Sequence, residues 1–322
     1  MSIESLVLGI DVGGTGTKMG LVDTTGHLTA FRKIPTNAHG DDPAPFLTRF
    51  YKQIDQIIAS TDHKIAGIGV SMHGELDNDH QGPIICSNTP ALRGIFMRDL
   101  LEERYQLPVI INNDLTAHTL GEYYFGSGHG VQRFMCMAIG TGLGAGVIIN
   151  GKPLIIDGGN SGNTGLIVIA PTGPVDANGI KGSAEALCGV PGIERLARER
   201  YGHKVPAHEV IASARKGDDQ IAVEIMGQIG AYLGHTLASL SVIFYPHKIV
   251  LTGGTTTAGP VLLDACRERF DELVGGFFSK ISQGPKSHYQ TVEIVLGGQG
   301  SETGILGAVV ELLGLFTSQE NQ

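Results

Sequence analysis

Gly13-Gly14-Thr15-Gly16-Thr17-Lys18-Met19-Gly20-Leu21-Val22 returns 126 residues later as Ile139-Gly140-Thr141-Gly142-Leu143-Gly144-Ala145-Gly146-Val147-Ile148. Each copy follows an apolar run, enters another, and reaches a further turn at Gly26 or Gly151. A strand–glycine turn–strand unit repeated at a fixed offset predicts a duplicated domain, with each half presenting one hairpin to a shared cleft. The plainer alternative is two unrelated hairpins whose turns need glycine for positive φ.

Around these hairpins the chain alternates strand and helix. Ser5–Asp11, Lys18–Asp23, Ala66–Val70, Val109–Asn112, Phe134–Ile139, Gly144–Ile149 and Lys248–Thr252 read as strands. Phe46–Ile58, Gly94–Tyr105, Leu115–Phe125, Val190–Tyr201, Gln220–Phe244, Pro260–Val274 and Gly304–Phe316 read as helices. The alternation predicts an α/β fold. Gly227, Gly230 and Gly234 inside the long helix predict close packing there. Gly158–Gly182 is loop-rich.

Composition narrows the classes. Glycine supplies 47 of 322 residues, roughly twice average usage, while 42% of residues are hydrophobic, too many for a disordered linker. The glycines do not recur every third residue, which excludes a collagen-like chain. The net charge is -9 and Lys and Arg form no cluster, so a nucleic-acid partner is not expected. No run approaches the roughly 18 apolar residues of a membrane span, and Met1–Ile10 lacks the basic start of a signal peptide. Cys86, Cys136, Cys188 and Cys266 are far apart and are expected to be reduced, buried thiols of a soluble cytoplasmic protein. The 12 histidines are scattered, as surface or core residues would be.

A glycine turn between strands exposes successive backbone N–H groups, a concavity suited to phosphate. Thr15 and Thr141 add hydroxyl donors and Lys18 a cation. Asp11, just before the first turn, fits a phosphate site if Mg²⁺ stands between them, most simply through water. Other phosphate and catalytic motifs fail. GxxxxGK[ST], GxSxG, HExxH and CxxC are absent. Gly140–Ala145 has GxGxxA spacing, but Val147–Ile149 and Asn150-Gly151 continue it as a hairpin rather than a helix.

Taken in order and spacing, four segments resemble the ROK family of repressors, open reading frames and sugar kinases. They are Asp11–Thr15, Asn112-Asn113-Asp114 ahead of a helix ending near Gly121-Glu122, Gly140–Gly144, and Val250–Gly254. The resemblance spans essentially the whole chain. It implies duplicated actin-like (ribonuclease H-like, hexokinase-type) α/β domains with an interdomain cleft. On that plan residues 1–114 form the N-terminal domain and 115–303 the C-terminal one, with a helix at about 304–322 packing back on the first.

The resemblance also implies roles. Asp114 becomes the base that receives the proton of an attacking sugar hydroxyl, although an N-cap of the following helix is its ordinary alternative. Asn88 and Asn113 match positions that bind sugar hydroxyls, while Gly253 and Gly254 match a segment that packs on adenosine. Asn163 aligns with a sugar-contacting Glu, and Glu185 retains a family Glu. Where the family has a zinc-binding His and three Cys, this chain has Leu166, Asp176, Asn178 and Ser183. Such a set would not close a tetrahedral zinc site, so no zinc is expected, and packing around Ile167–Ile169 is expected to hold the loop. The implied activity is transfer of phosphate from ATP, with Mg²⁺, to a hexose or amino-hexose, the cleft closing over the sugar. The sequence does not separate ATP from polyphosphate as donor, nor one hexose from another. A catalytically silent or regulatory sugar-binding protein is the alternative. DNA-binding relatives carry a winged helix-turn-helix ahead of the first glycine segment, and here that segment begins at residue 11. A homodimer is the commonest closed assembly for such a protein.

Overall fold

The computed structural model describes residues 6–156, 158–285, 287, 289–298 and 300–315. These fall into two compact units, one drawn from Met1–Gly130, Gly151–Gly162 and Gln299–Gln322, the other from Val131–Asn150 and Asn163–Gly298. The first unit opens with β1 (Leu6–Val12), β2 (Gly16–Val22), β3 (Leu28–Pro35), α1 (Ala44–Ile58) and β4 (Ile65–Met72). A short ribbon, β5 (Glu75–Leu76) and β6 (Pro83–Ile85), precedes α2 (Met97–Tyr105), β7 (Val109–Asn113) and α3 (Asp114–Phe125). The second unit begins with β8 (Arg133–Ile139) and β9 (Leu143–Ile149); β10 (Lys152–Pro153) belongs to the first. The second unit continues with α4 (Ala184–Cys188), α5 (Val190–Tyr201), α6 (Ala207–Lys216) and α7 (Gln220–Phe244). It ends with β11 (Lys248–Thr252), α8 (Pro260–Phe270), α9 (Gly276–Ser282) and β12 (Glu293–Leu296), after which α10 (Thr303–Ala308) is part of the first unit.

The two sheets share one plan. In the first, β1 pairs antiparallel with β2 and parallel with β4, and β4 pairs parallel with β7. In the second, β8 pairs antiparallel with β9 and parallel with β11, and β11 pairs parallel with β12. The duplication read from the glycine hairpins is therefore a duplication of topology.

Strand alternation sets what each face of the first sheet carries. Leu8, Ile10 and Val12 of β1 join the core formed with Phe46, Phe50, Ile54 and Ile57 of α1. Those four α1 residues recur at helical spacing, which is why this segment folds as a helix with one buried stripe. Val7 of β1 joins the opposite core, with Ile305, Leu306 and Val309. Glycines let α10 approach that face closely. A Cβ on Gly9 would stand 2.7 Å from the Ile305 carbonyl oxygen, and one on Gly69 would collide with Ala308.

Several expectations need correction. The domain boundary expected after Asp114 is displaced, because α3 stays in the first unit. It packs on α10 where Gly121 meets Thr303 and Gly307 meets Ala117 at backbone contact. The helix expected over Gly304–Phe316 is α10 alone; turns follow to Gly314, whose φ is +70°, and residues 316–322 lie outside those described. The helix expected to start at Gly94 starts at Met97, since Gly94 takes a positive φ of 72°. Pro260–Val274 is α8 followed by a π-helical turn, Asp271–Gly275. In α7, Gly230 and Gly234 do meet α8, but Gly227 faces open space.

Candidate functional site

In the first unit, strand register builds the surroundings of Asp11. Its partner on β4 is Ser71 and its partner on β2 is Lys18. Ser71 Oγ donates to Asp11 Oδ1 at 2.9 Å and Lys18 Nζ reaches Oδ2 at 3.4 Å. Asp11 is buried and lies against Gly304 of α10.

The turn that follows is tied back by its carbonyls. Gly13 N–H donates to the Gly16 carbonyl at 3.2 Å, Thr36 Oγ1 donates to the Gly13 carbonyl at 2.7 Å, and Thr36 N–H donates to the Thr15 carbonyl at 3.0 Å. Thr36 is fixed in turn by Thr17 Oγ1 at 3.0 Å and by Arg49, which donates to its carbonyl at 2.8 Å. Gly14 and Thr15 N–H groups have no hydrogen-bond partner among the described residues. A cavity of about 670 Å³ opens at the turn, lined by Gly13, Thr15, Gly16, Lys18, Lys33 and Pro35 together with Ile34. Gly13, Gly14 and Gly16 all have ordinary φ, so the turn does not use glycine for left-handed backbone. Its use is space: a Cβ on Gly14 would stand 2.9 Å from the Asn88 Cβ.

The second unit repeats the device. Gly140 N–H donates to the Gly142 carbonyl at 2.9 Å, and neither glycine has positive φ. A Cβ on Gly140 would meet nothing within 4 Å. Leu143 N–H donates to Glu185 Oε2 at 3.1 Å, and a Cβ on Gly142 would stand 2.7 Å from that oxygen. Gly253 needs its positive φ of 97° and packs on Ile139, whereas Gly254 has ordinary φ and open space beside it. Asn163 is exposed, and its carbonyl accepts from Leu166 N–H at 2.9 Å.

Asp114 opens α3, but Asn113 is the residue that caps it. Asn113 Oδ1 accepts from Leu115 N–H at 2.9 Å, and its Nδ2 donates to the Gly74 carbonyl at 2.8 Å. Asn113 is thus committed on both sides to backbone, and it shares the Leu115 N–H with Asp114, whose Oδ1 also accepts it at 2.9 Å. Burial pushes the Asp114 carboxyl up to about 6; His118, one turn along α3, works against the rise, and the charge of Asp11 adds to it. Asn88 is exposed, and the next residue anchors its segment: Thr89 Oγ1 bonds His73 Nε2 at 3.0 Å while His73 Nδ1 bonds the Val12 carbonyl at 3.0 Å. Asn160, also buried, donates to Glu75 Oε2 at 3.3 Å.

Thus the first unit gathers Asp11, Gly13, Gly14, Thr15, Lys18, Asn88, Asn113 and Asp114, and the second carries Gly140, Thr141, Gly142, Asn163, Glu185, Gly253 and Gly254. Sequence reasoning missed Ser71, Thr36 and His73. Ser71 was findable once β4 was aligned in parallel with β1; the other two had no local signal. Asp11 is bonded to a hydroxyl and an ammonium group and lies near enough to Asp114 to act on its charge, and no cluster of three His, Cys, Asp or Glu suited to a metal occurs among the described residues. One carboxylate beside a turn of unpaired backbone N–H groups would fit Mg²⁺, which keeps much of its water and takes few protein ligands.

Two sheets of one plan, each with a glycine hairpin at its first antiparallel pair, define a duplicated actin-like α/β protein. The chain belongs to the ROK family, whose family model matches residues 7–311. It is 30% identical over 318 residues to a glucokinase of Halalkalibacterium halodurans, covering 93% of this chain and 92% of that one. A ROK family glucokinase from Streptomyces griseus, solved with glucose and AMPPNP, superposes with a TM-score of 0.77 at 25% identity, covering 94% of this chain and 98% of the other. The Escherichia coli transcriptional dual regulator NagC is 29% identical over 231 residues, 69% of this chain and 54% of the regulator.

Proposed function

We propose that the protein is a kinase that transfers the terminal phosphate of ATP to a hydroxyl of a hexose or amino-hexose. The observation that carries this reading is Asp114, a carboxylate fixed at the start of α3 by the Leu115 N–H, which it shares with Asn113, and pushed by burial up to about 6. A base of that strength is ionised at neutral pH and accepts a proton readily. The sugar hydroxyl gives its proton to Asp114 as its oxygen bonds to the γ-phosphorus, and the bond from that phosphorus to the β–γ bridging oxygen breaks to release ADP. The unpaired Gly14 and Thr15 N–H groups, with Lys18, suit the donor's phosphates in the first unit, and the Gly140–Gly142 turn is a backbone device of the same kind in the second. Mg²⁺, held by Asp11 through water, would neutralise charge on the donor's phosphates. Gly254, open beside its backbone, suits the flat face of an adenosine ring. Four buried cysteines, none in a disulfide, suit the reducing cytoplasm.

A coupled ADP-release screen over hexoses and amino sugars, with ATP and polyphosphate as donors, tests this. Turnover with at least one sugar is expected, and Asp114→Asn is expected to lower kcat by roughly 10²–10⁴-fold with sugar binding retained. No turnover with any sugar, together with retained sugar binding, would leave the silent or regulatory reading in its place.

A further inference from the structure

The loop of the second unit that departs most from the ROK resemblance is held by a chain of hydrogen bonds. Asp176 Oδ1 accepts from the backbone N–H of Asn178 at 2.8 Å and of Ile180 at 2.9 Å. Its Oδ2 accepts from Ser183 Oγ at 2.6 Å. Ser183 Oγ in turn accepts from Ala186 N–H at 3.2 Å and so caps α4. These are three of the four positions aligned with the family's zinc ligands, and the fourth is Leu166. A carboxylate, an amide, a hydroxyl and an aliphatic side chain do not fit a closed zinc site, and the Asp176 carboxylate and Ser183 hydroxyl are already engaged with each other and with backbone. Apolar packing around Ile167–Ile169 is partial, and backbone bonds join this segment to the loop's end, Ile169 N–H donating to the Gly182 carbonyl at 3.0 Å and Ala184 N–H to the Ile167 carbonyl at 2.9 Å. None of Ile167, Val168 and Ile169 is buried, and Val168 is 50% exposed.

We propose that Asp176, Asn178 and Ser183 form a metal-free clip that positions Glu185 against the second glycine hairpin. The capped helix carries Glu185 in its first turn. One Glu185 oxygen receives the Leu143 N–H at 3.1 Å, and the other faces Asn178 Nδ2 at 3.5 Å. Gly142 admits the carboxylate because any side chain there would strike Oε2. The clip thus runs from Asp176 through Ser183 and α4 to Glu185, and from Glu185 to the strand that leaves the Gly140–Gly142 turn. Burial raises the Asp176 carboxyl, but the hydrogen bonds from Ser183, Ile180 and Asn178 outweigh it and hold the group below the usual carboxylate range. Asp176 therefore stays an acceptor through neutral and mildly acidic pH. Asp176 and Ser183 are positioning residues, acting on the hairpin through Glu185.

The sugar role of the loop rests on the kinase reading, but the clip has a readout that does not. In the full-length protein, hydrogen exchange at the Leu143 amide is expected to accelerate about tenfold or more in Asp176→Ala and in Glu185→Gln, while Ser183→Thr keeps the protection of the wild type. If Asp176→Ala fails to fold, Asn178→Ala, which removes the amide facing Glu185, is expected to loosen the same site. In the kinase assay Asp176→Ala is expected to raise the sugar KM by more than it lowers kcat. Leu143 protection unchanged in a folded Asp176→Ala protein overturns the clip. So does stoichiometric zinc in the purified protein whose chelation speeds Leu143 exchange. Altered exchange without turnover on any sugar would sustain the clip while the kinase reading falls.

Discussion

Gly304 lies so close to Asp11 that a Cβ on it would stand 2.7 Å from the Asp11 Cγ. Alanine in a helix ordinarily gains about 1 kcal/mol over glycine. Here the added methyl must displace a carboxylate fixed by Ser71 and Lys18. Gly304→Ala is therefore expected to lower the melting temperature and to raise the KM for the phosphate donor. A higher melting temperature with an unchanged donor KM would show that Asp11 yields freely and is not held where the site needs it.

Asp114 sets an opposition between activity and stability. Its folded pKa of about 6 stands above the usual value of 3.8. Above pH 6 the group is ionised in both the folded and unfolded states, and the folded state carries the penalty of burying it. Below about 4 it is protonated in both, and the penalty is gone. Asp114→Asn, expected to lose most of its activity, is thus also expected to be more stable than wild type by about 1–2 kcal/mol at pH 7–8, a value reduced for the residual exposure of the group. The gain should fade as pH falls from 6 to 4. Denaturant titrations of both proteins across that range check the sign, and an Asn variant less stable than wild type at pH 8 contradicts it.

His118 lies one turn after Asp114 on α3, and its Nδ1 has no hydrogen-bond partner among the described residues. Its charge opposes the upward push of burial on the Asp114 carboxyl. Removing it in His118→Ala should raise the Asp114 pKa above that of wild type. If Asp114 is the base of the proposed transfer, its ionised form is the active one and activity is lost as pH falls through its pKa. The acid limb of kcat/KM is accordingly expected to move to higher pH, by a few tenths of a unit to about one unit. An acid limb that stays in place would remove His118 from the electrostatics of Asp114.

What the sequence revealed were features set by neighbouring residues. The hairpins were legible because a short glycine turn between apolar runs is local. α7 was legible to its end residues because Asp219 caps it and Tyr245, in left-handed backbone before Pro246, stops it. β3 was not legible, since an edge strand that is mostly exposed carries little apolar signal. The first unit's claim on α3 was hidden for another reason: it depends on Gly121 and Gly307, which meet across a distant part of the chain. Around the site, Asp11 and Asp114 stood out by motif, but Ser71 reaches Asp11 from 60 residues away through strand register. Thr36 and His73 act on carbonyls of the first turn and leave no trace in their own neighbourhoods.

Gly140 offers the sharpest separation of folding from binding. Its φ is ordinary and a Cβ there would meet nothing within 4 Å, so neither backbone strain nor packing requires glycine. Replacing glycine with alanine at such a position commonly stabilises a protein by about 0.4–1 kcal/mol, through the unfolded chain. If the open space is where the donor's phosphates lie against backbone N–H groups, the methyl fills it. Gly140→Ala is expected to melt at or above the wild-type temperature while the donor KM rises about tenfold or more and the sugar KM changes little. Gly253→Ala is the control: strained at its φ of 97° and pressed on Ile139, it should lose stability first. A Gly140→Ala enzyme with wild-type donor KM would mean that the second turn is built for the fold and not for phosphate.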